Sequence, residues 1–325
     1  MFNPLSNPHI QTLYATFAPK PDLHHLKWER FELPDGDFVD CVWYGENFAM
    51  QERPVTVLFH GLTGSVRSPY ILRTMERLGK LGFAVVLMHF RGCSGESNRL
   101  PRSYHSGDTA DATLWLHEVK KRYPNSPLFA VGFSLGGNML LKLMGECGAD
   151  ALPDAAVAVS APMDLAACAK RIDQGFSRLY QRHLMKPLKE QLIDKYRLFD
   201  MQALIGLRER DVARLKTFWE FDDVYTAPVH GFESVGEYYA RCSAKRFLSG
   251  IVKPTLILHA EDDPFTGEDV IPGASDLPGD VTLEVHKQGG HIGFVHGSFM
   301  KPEFWLFERI ADYLATFSSL PPLQR

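Results

Sequence analysis

Gly132-Phe133-Ser134-Leu135-Gly136 is the segment of this 325-residue chain best suited to covalent chemistry. A serine hydroxyl attacks a carbonyl when a base removes its proton and hydrogen-bond donors meet the oxyanion that forms. The pattern Gly-x-Ser-x-Gly provides the setting when it falls on a sharp turn from strand into helix. The serine backbone is then strained, small residues on either side make room, and the hydroxyl stands clear of the sheet. Here a β-type run at 127–131 precedes the pattern and a helical pattern at 135–145 follows, with Met139, Leu140, Leu143 and Met144 on one face. The free N–H groups at the start of that helix would face a developing oxyanion. The rival reading, a glycine-rich helix start that merely packs closely, is disfavoured by this strand-to-helix context.

Such a serine needs a base, and the base needs an orienting acid; on this kind of elbow the chain order is nucleophile, acid, histidine. Acid candidates follow the β-type run 254–260 in Glu261-Asp262-Asp263-Pro264. Asp263, directly before the proline, is the first choice and Asp262 the second. Asp262 has an alternative role as a turn residue bonding local N–H groups. Asp164, after the run 154–160, is a third option. The base candidate is His291, in Gln288-Gly289-Gly290-His291-Ile292-Gly293-Phe294 after the run 281–286. The paired glycines are read as a flexible backbone that delivers the imidazole. His286 is assigned to the preceding strand and His296 to the next turn.

His60-Gly61-Leu62-Thr63-Gly64 follows the run 54–59. An oxyanion hole on such an elbow takes one N–H from the residue after the nucleophile and one from this earlier loop. That selects the backbone donors of Leu135 and Leu62, each worth about 3 kcal/mol of transition-state stabilisation. His60 is read as a buried residue anchoring the loop, without direct chemistry.

The elements that must position these residues follow from periodicity. Residues 27–34 and 38–44 alternate around Pro34-Asp35-Gly36-Asp37, a hairpin signal. A strand at 84–90, helices at 69–81 and 108–122, and a closing helix at 302–317 complete the alternation. Strands alternating with helices imply an α/β class with a mostly parallel sheet and helices on both faces. Residues 161–253 contain no convincing strand and are rich in helix formers and aromatics, among them Phe176, Tyr180, Tyr196, Phe218, Trp219, Phe221, Tyr225, Tyr238 and Tyr239. They read as a helical cap inserted into a single domain spanning 1–325. The aromatics suit an apolar substrate group or the packing of the cap itself.

Hydrophobic residues make up 45% and charged residues 23%, a globular balance, and the net charge of −4 argues against a nucleic-acid partner. Five cysteines, with no Cys-x-x-Cys pair, suggest reduced thiols and a cytoplasmic location. The N-terminus lacks the charged and apolar regions of a signal peptide. No apolar run approaches the roughly 18 residues of a transmembrane segment. No Cys/His cluster has metal-ligand spacing, so neither metal nor organic cofactor is expected.

The segments HGLTG (60–64), RGCSG (91–95), YHSGD (104–108), GFSLGGN (132–138), AEDDPF (260–265) and GGHIGF (289–294) occur in this order, preceded by Asn7-Pro8-His9-Ile10-Gln11-Thr12-Leu13. Together they resemble the AB hydrolase 4 family of the AB hydrolase superfamily, over nearly the whole chain. The resemblance implies an α/β-hydrolase fold with a helical cap insertion at about 161–253. It also implies a Ser-Asp-His triad on Ser134, Asp263 and His291, and hydrolysis of a small-molecule carboxylic ester without a cofactor. Some eukaryotic members are phospholipases or acyltransferases. An acyltransferase using the same acyl-enzyme is therefore the alternative, although no histidine here has the aspartate five positions on that marks the His-x4-Asp signature. A non-catalytic binding protein is the more remote alternative. Arg91 and Asp108 are expected to pair and hold loops at the catalytic edge, while the role of His105 stays open. Cys93 is no nucleophile, since no elbow follows it. The oligomeric state and the natural ester are not determined.

Overall fold

The short β-branched runs pair into one eight-stranded sheet in the computed structural model, which describes residues 4–298 and 301–318. Its strands are β1 (Lys27–Glu32), β2 (Phe38–Tyr44), β3 (Val55–Phe59), β4 (Ala84–Met88), β5 (Leu128–Phe133), β6 (Ala155–Val159), β7 (Thr255–Ala260) and β8 (Val281–His286). They lie in the order β1-β2-β4-β3-β5-β6-β7-β8. β2 runs antiparallel to both β1 and β4, and every later pairing is parallel. Helices α1 (Pro8–Phe17), α2 (Glu46–Ala49), α3 (Pro69–Lys80), α4 (Thr109–Arg122) and α5 (Leu135–Cys147) belong to the first half of the chain.

The central strands are apolar at nearly every position because both faces are covered. On β3, Val55, Val57 and Phe59 enter one core while Leu58 enters the other. On β4, Ala84, Val86 and Met88 divide from Val85 and Leu87 in the same way. The first core is closed by Trp115 and Leu116 of α4 and by Met139 and Leu143 of α5. The second is closed by Ile71, Met75 and Leu78 of α3 and by Leu306, Ile310 and Leu314 near the C-terminus. The result is three layers, helix on sheet on helix.

Between β6 and β7 the chain forms α6 (Leu165–Ile172), α7 (Ser177–Leu198), α8 (Met201–Ile205), α9 (Phe218–Phe221), α10 (Ala227–Val229) and α11 (Val235–Cys242). Met185, Leu188, Leu192, Met201, Val212, Phe221 and Tyr225 pack into a cluster of their own. Residues 244–251 differ. Ala244, Leu248 and Ile251 join the core beneath the sheet, where a Cβ on Gly145 of α5 would strike the carbonyl of Phe247. This stretch therefore packs with the sheet layers. Near the C-terminus a small hairpin, β9 (Val295–Ser298) and β10 (Lys301–Phe304), precedes α12 (Trp305–Ala315). The closing helix therefore starts three residues later than its apolar spacing suggested, because Lys301–Phe304 pair with Val295–Ser298. His296 accordingly lies in a strand and not in a turn.

Arg91 and Asp108 do not pair. Burial would weaken the Arg91 proton affinity, but the carboxylates of Asp111 and Asp35 outweigh it and raise the pKa. Its guanidinium is 2% exposed and holds Asp111 through two bonds of 2.6 and 2.7 Å. The remaining nitrogen reaches Asp35 at 2.7 Å and Asp37 at 3.0 Å. Asp108 instead accepts from Arg102 at 2.7 Å. The chain turn after β4 is thus tied to the β1–β2 hairpin and to α4. Spacing alone could not choose among four aspartates whose order in the chain says nothing of their order in space. Replacing Arg91 by Leu would leave those carboxylates uncompensated, and is expected to cost about 3–5 kcal/mol of stability, read as a lower urea midpoint with an unchanged m-value.

Candidate active site

Ser134 sits between β5 and α5 with φ 50° and ψ −118°, a backbone conformation that L side chains rarely adopt. The neighbouring glycines explain how the turn closes. A Cβ on Gly132 would strike the carbonyl of Gly136. A Cβ on Gly136 would lie 2.5 Å from the carbonyl oxygen of Phe59 and 2.6 Å from that of His60. The Ser134 N–H donates to the Val159 carbonyl at 2.8 Å, which fastens the elbow to the end of β6.

Parallel register brings the other groups to the same edge. Phe59 is paired with Gly132, so Leu62 and Leu135, each three residues further on, leave adjacent strand ends. Ala260 is paired with His286, so the loops bearing Asp263 and His291 also start side by side. His291 Nε2 lies 2.9 Å from Ser134 Oγ, and His291 Nδ1 lies 2.8 Å from Asp263 Oδ2. The Asp263 side chain is fully buried, and its other oxygen accepts from the Phe265 N–H at 2.8 Å. A carboxylate can only accept, so Nδ1 carries the proton and Nε2 is left to accept from the serine hydroxyl. The Phe265 ring lies flat on the imidazole, 4.0 Å between centroids and 6° between planes.

The other acids do different work. Asp262 accepts the N–H groups of Gly289 and Gly290, both at 2.9 Å, and so braces the histidine loop. Burial raises its pKa, and those two N–H groups offset only part of the rise. Asp164 caps α6, accepting from Ala167 N–H at 3.0 Å. Cys93 is buried, which pushes its thiol up to about 12.

His60 is fully enclosed; burial, with the neighbouring His89, lowers its pKa to about 3. Its Nδ1 lies 2.7 Å from the Gly61 carbonyl and its Nε2 accepts the Phe90 N–H at 3.1 Å. A neutral imidazole thus holds the 60–64 loop from both sides. The Gly61 N–H donates to the Tyr70 hydroxyl and the Thr63 N–H to the Tyr104 hydroxyl, each at 2.9 Å. Between them the Leu62 N–H has no acceptor among the described residues, nor has that of Leu135. Leu62, Leu135, Ser134 and His291 all line one cavity of about 650 Å³.

Sequence reasoning passed over Tyr70, Tyr104 and Asn138. Asn138 is buried one turn after Ser134; its amide donates to the carbonyls of Ser106 and Cys242, both at 2.8 Å, and accepts the Ala244 N–H at 2.9 Å. Tyr104 and Asn138 lie inside segments singled out above, whereas nothing in the sequence marks Tyr70. His105 is half-buried, packs edge-on against the ring of Tyr238 and accepts the Gly107 N–H at 3.2 Å, and loss of solvent lowers its pKa far below the ordinary value. Of the cap aromatics, Phe176, Tyr180, Phe218, Phe221, Tyr225, Tyr238 and Tyr239 line the cavity, while Tyr196 and Trp219 do not. Phe221 and Tyr225 also belong to the cap's own core, so one side chain serves both purposes. Among the described residues one acid, Asp222, lines this mostly apolar cavity. Asp222 accepts from Thr226 and Tyr239 hydroxyls at 2.6 and 2.8 Å, and burial pushes its pKa up to about 6. Among the described residues no group of His, Cys, Asp and Glu could hold a metal ion, and no helix is long and apolar enough to cross a membrane.

Residues 54–298 match the family model described as alpha/beta hydrolase fold. A protein of Escherichia coli (strain K12) named "Putative esterase YheT" is 44% identical over 313 residues, covering 96% of this chain and 91% of that one. "Phospholipase ABHD3" of Mus musculus is 30% identical over 296 residues, covering 88% of this chain and 71% of that one. Among solved structures, the Pyrococcus furiosus esterase Pf2001 superposes with a TM-score of 0.59 at 17% identity, over 92% of this chain and 96% of that one. The last likeness bears on fold alone.

The depressed pKa of His60 has a measurable consequence. In the unfolded chain its imidazole binds a proton below about pH 6.5, whereas the folded one resists protonation until about pH 3. Its contribution to stability is complete above pH 6.5 and is lost as pH falls. Between pH 6 and 4 the unfolding free energy of His60→Gln should depend less steeply on pH than that of the wild type, by about 1.4 kcal/mol per pH unit. Urea titrations at several pH values give both slopes; equal slopes would mean that His60 is not held neutral.

Proposed function

The chain belongs to the α/β-hydrolase fold family, and we propose that it is a serine hydrolase cleaving carboxylic esters through Ser134, His291 and Asp263. The observation that carries this reading is the unbroken line from Asp263 through His291 to Ser134, at 2.8 and 2.9 Å, ending in a cavity beside two N–H groups with no acceptor among the described residues.

In the first step the Ser134 oxygen bonds to the ester carbonyl carbon while its proton passes to His291 Nε2. Asp263 keeps the imidazole in the required tautomer and stabilises the imidazolium. The Leu62 and Leu135 N–H groups stabilise the tetrahedral oxyanion. His291 then protonates the departing alkoxide as the carbon–oxygen bond breaks, leaving Ser134 acylated. Water repeats the sequence, giving its proton to His291 and releasing the acid and the free serine. No step requires a metal or an organic cofactor.

A mostly aromatic and aliphatic cavity of about 650 Å³ supports a medium-chain or lipid-like acyl group over acetate. Each methylene buried there contributes about 0.8 kcal/mol, roughly fourfold in kcat/KM. With a series of p-nitrophenyl esters, kcat/KM should climb with acyl length until the cavity is filled; a profile that falls from acetate onward would overturn this preference. Ser134→Ala should lose at least about 10⁴-fold in kcat/KM and all labelling by a fluorophosphonate probe. Equal labelling of wild type and Ser134→Ala would refute the serine mechanism.

A further inference from the structure

The N-terminal segment Asn7–Leu13 has no part in the acyl transfer set out above, yet its helix lies against the loop that carries His291. We propose that α1 is a positioning element for that histidine, with Thr12 and Gln11 as the positioning residues. The inference rests on the reading of His291 as general base.

Asp263 and Ser134 hold the two ring nitrogens of His291, but neither holds its main chain. That main chain left β8 five residues earlier and runs through three positive φ values: 55° at Gly290, 59° at Ile292 and 44° at Phe294. Two of these residues carry side chains, and such backbone persists only where its surroundings over-determine it. The surroundings here are side chains from distant parts of the sequence. The His291 N–H donates to Thr12 Oγ1 at 2.9 Å, and the Ile292 N–H to Ser160 Oγ at 3.2 Å. Gln11 grips Val295 twice, accepting its N–H at 2.7 Å and donating to its carbonyl at 2.9 Å.

Both α1 side chains are built for the task. Thr12 gives its own proton to the Pro8 carbonyl at 2.8 Å, so its oxygen presents lone pairs to His291. The Gln11 amide also donates to the Leu5 carbonyl at 2.7 Å, which leaves it no freedom to turn away. Gln11 is 2% and Thr12 6% exposed. The helix begins where it must for this register: the Asn7 side chain caps the His9 and Ile10 N–H groups and Pro8 opens the first turn. The loop glycines serve the same contact. A Cβ on Gly290 would lie 2.5 Å from the Pro8 carbonyl oxygen, and one on Gly293 would lie 2.8 Å from that of Gln11. These glycines admit α1 to the loop by close approach.

The test compares full-length Thr12→Val, which keeps the shape and removes the acceptor, with Thr12→Ser, which keeps the acceptor. Hydrolysis of a p-nitrophenyl ester is measured at saturating and limiting substrate, with rates referred to folded protein by near-UV circular dichroism. For Thr12→Val, kcat should fall by about 10- to 100-fold with KM within about twofold, and Thr12→Ser should restore the wild-type kcat. Should Thr12→Val fail to fold, Thr12→Ala is read against Thr12→Ser in its place. Wild-type kcat in Thr12→Val, or an equal loss in Thr12→Ser, would overturn the positioning role while leaving the base assignment standing. Fluorophosphonate labelling of the wild type that does not depend on Ser134 would instead remove the reading on which the proposal rests.

Discussion

The backbone at Ser134 is the constraint on which the rest of the candidate site depends. A serine at φ 50° is held in a conformation worth about 1–3 kcal/mol of strain, and nothing local to the residue repays it. The repayment comes from β5, which is paired on both sides and buried at every position, and from α5, whose first turn leans on the carbonyls of Phe59 and His60. The close approach leaves no space for a Cβ at 132 or 136. The same closeness that strains the serine also sets the Leu135 N–H beside the loop that offers the Leu62 N–H.

Around this turn, buried polar groups act as scaffolding. His60, neutral and enclosed, holds the loop before Leu62; Tyr70 and Tyr104 take up the N–H groups on either side of that residue. Asp262 braces the paired glycines ahead of His291, and Asn138 joins α5 to the 104–108 loop and to the segment entering the sheet's core. Each donor and acceptor used in this way removes a competing partner for the groups left facing the cavity. The cap contributes in another currency: its aromatic side chains pack with one another and, by their inner edges, enclose the space above Ser134.

Much of this was legible in the sequence. The short continuous apolar runs at 54–59 and 84–90, set between helical patterns, announced strands covered on both faces, and the order of strand, Gly-x-Ser-x-Gly and helix announced the elbow. The order of Ser134, the acids and His291 along the chain followed from the same pattern. Less legible were the partners of Arg91, since four aspartates lie within reach of plausible turns. The reach of the insertion was also hidden: residues 244–251 carry helix-forming composition but pack under the sheet. Residues 302–304 read as the start of the closing helix, whereas a strand partner at 295–298 claims them.

The sequence by itself determined the periodicities, and with them the layers, the site of the strained turn and the candidate residues for chemistry. These are local properties, set by side chains within a turn or a strand of one another. Only the tertiary structure decided which aspartate meets His291, which N–H groups are left without an acceptor, and that the segment at 7–13 reaches the loop at 289–295. Those outcomes depend on contacts across up to 284 positions of chain. Parallel register and layer packing bring such partners together, and neither is encoded in the spacing of any one segment.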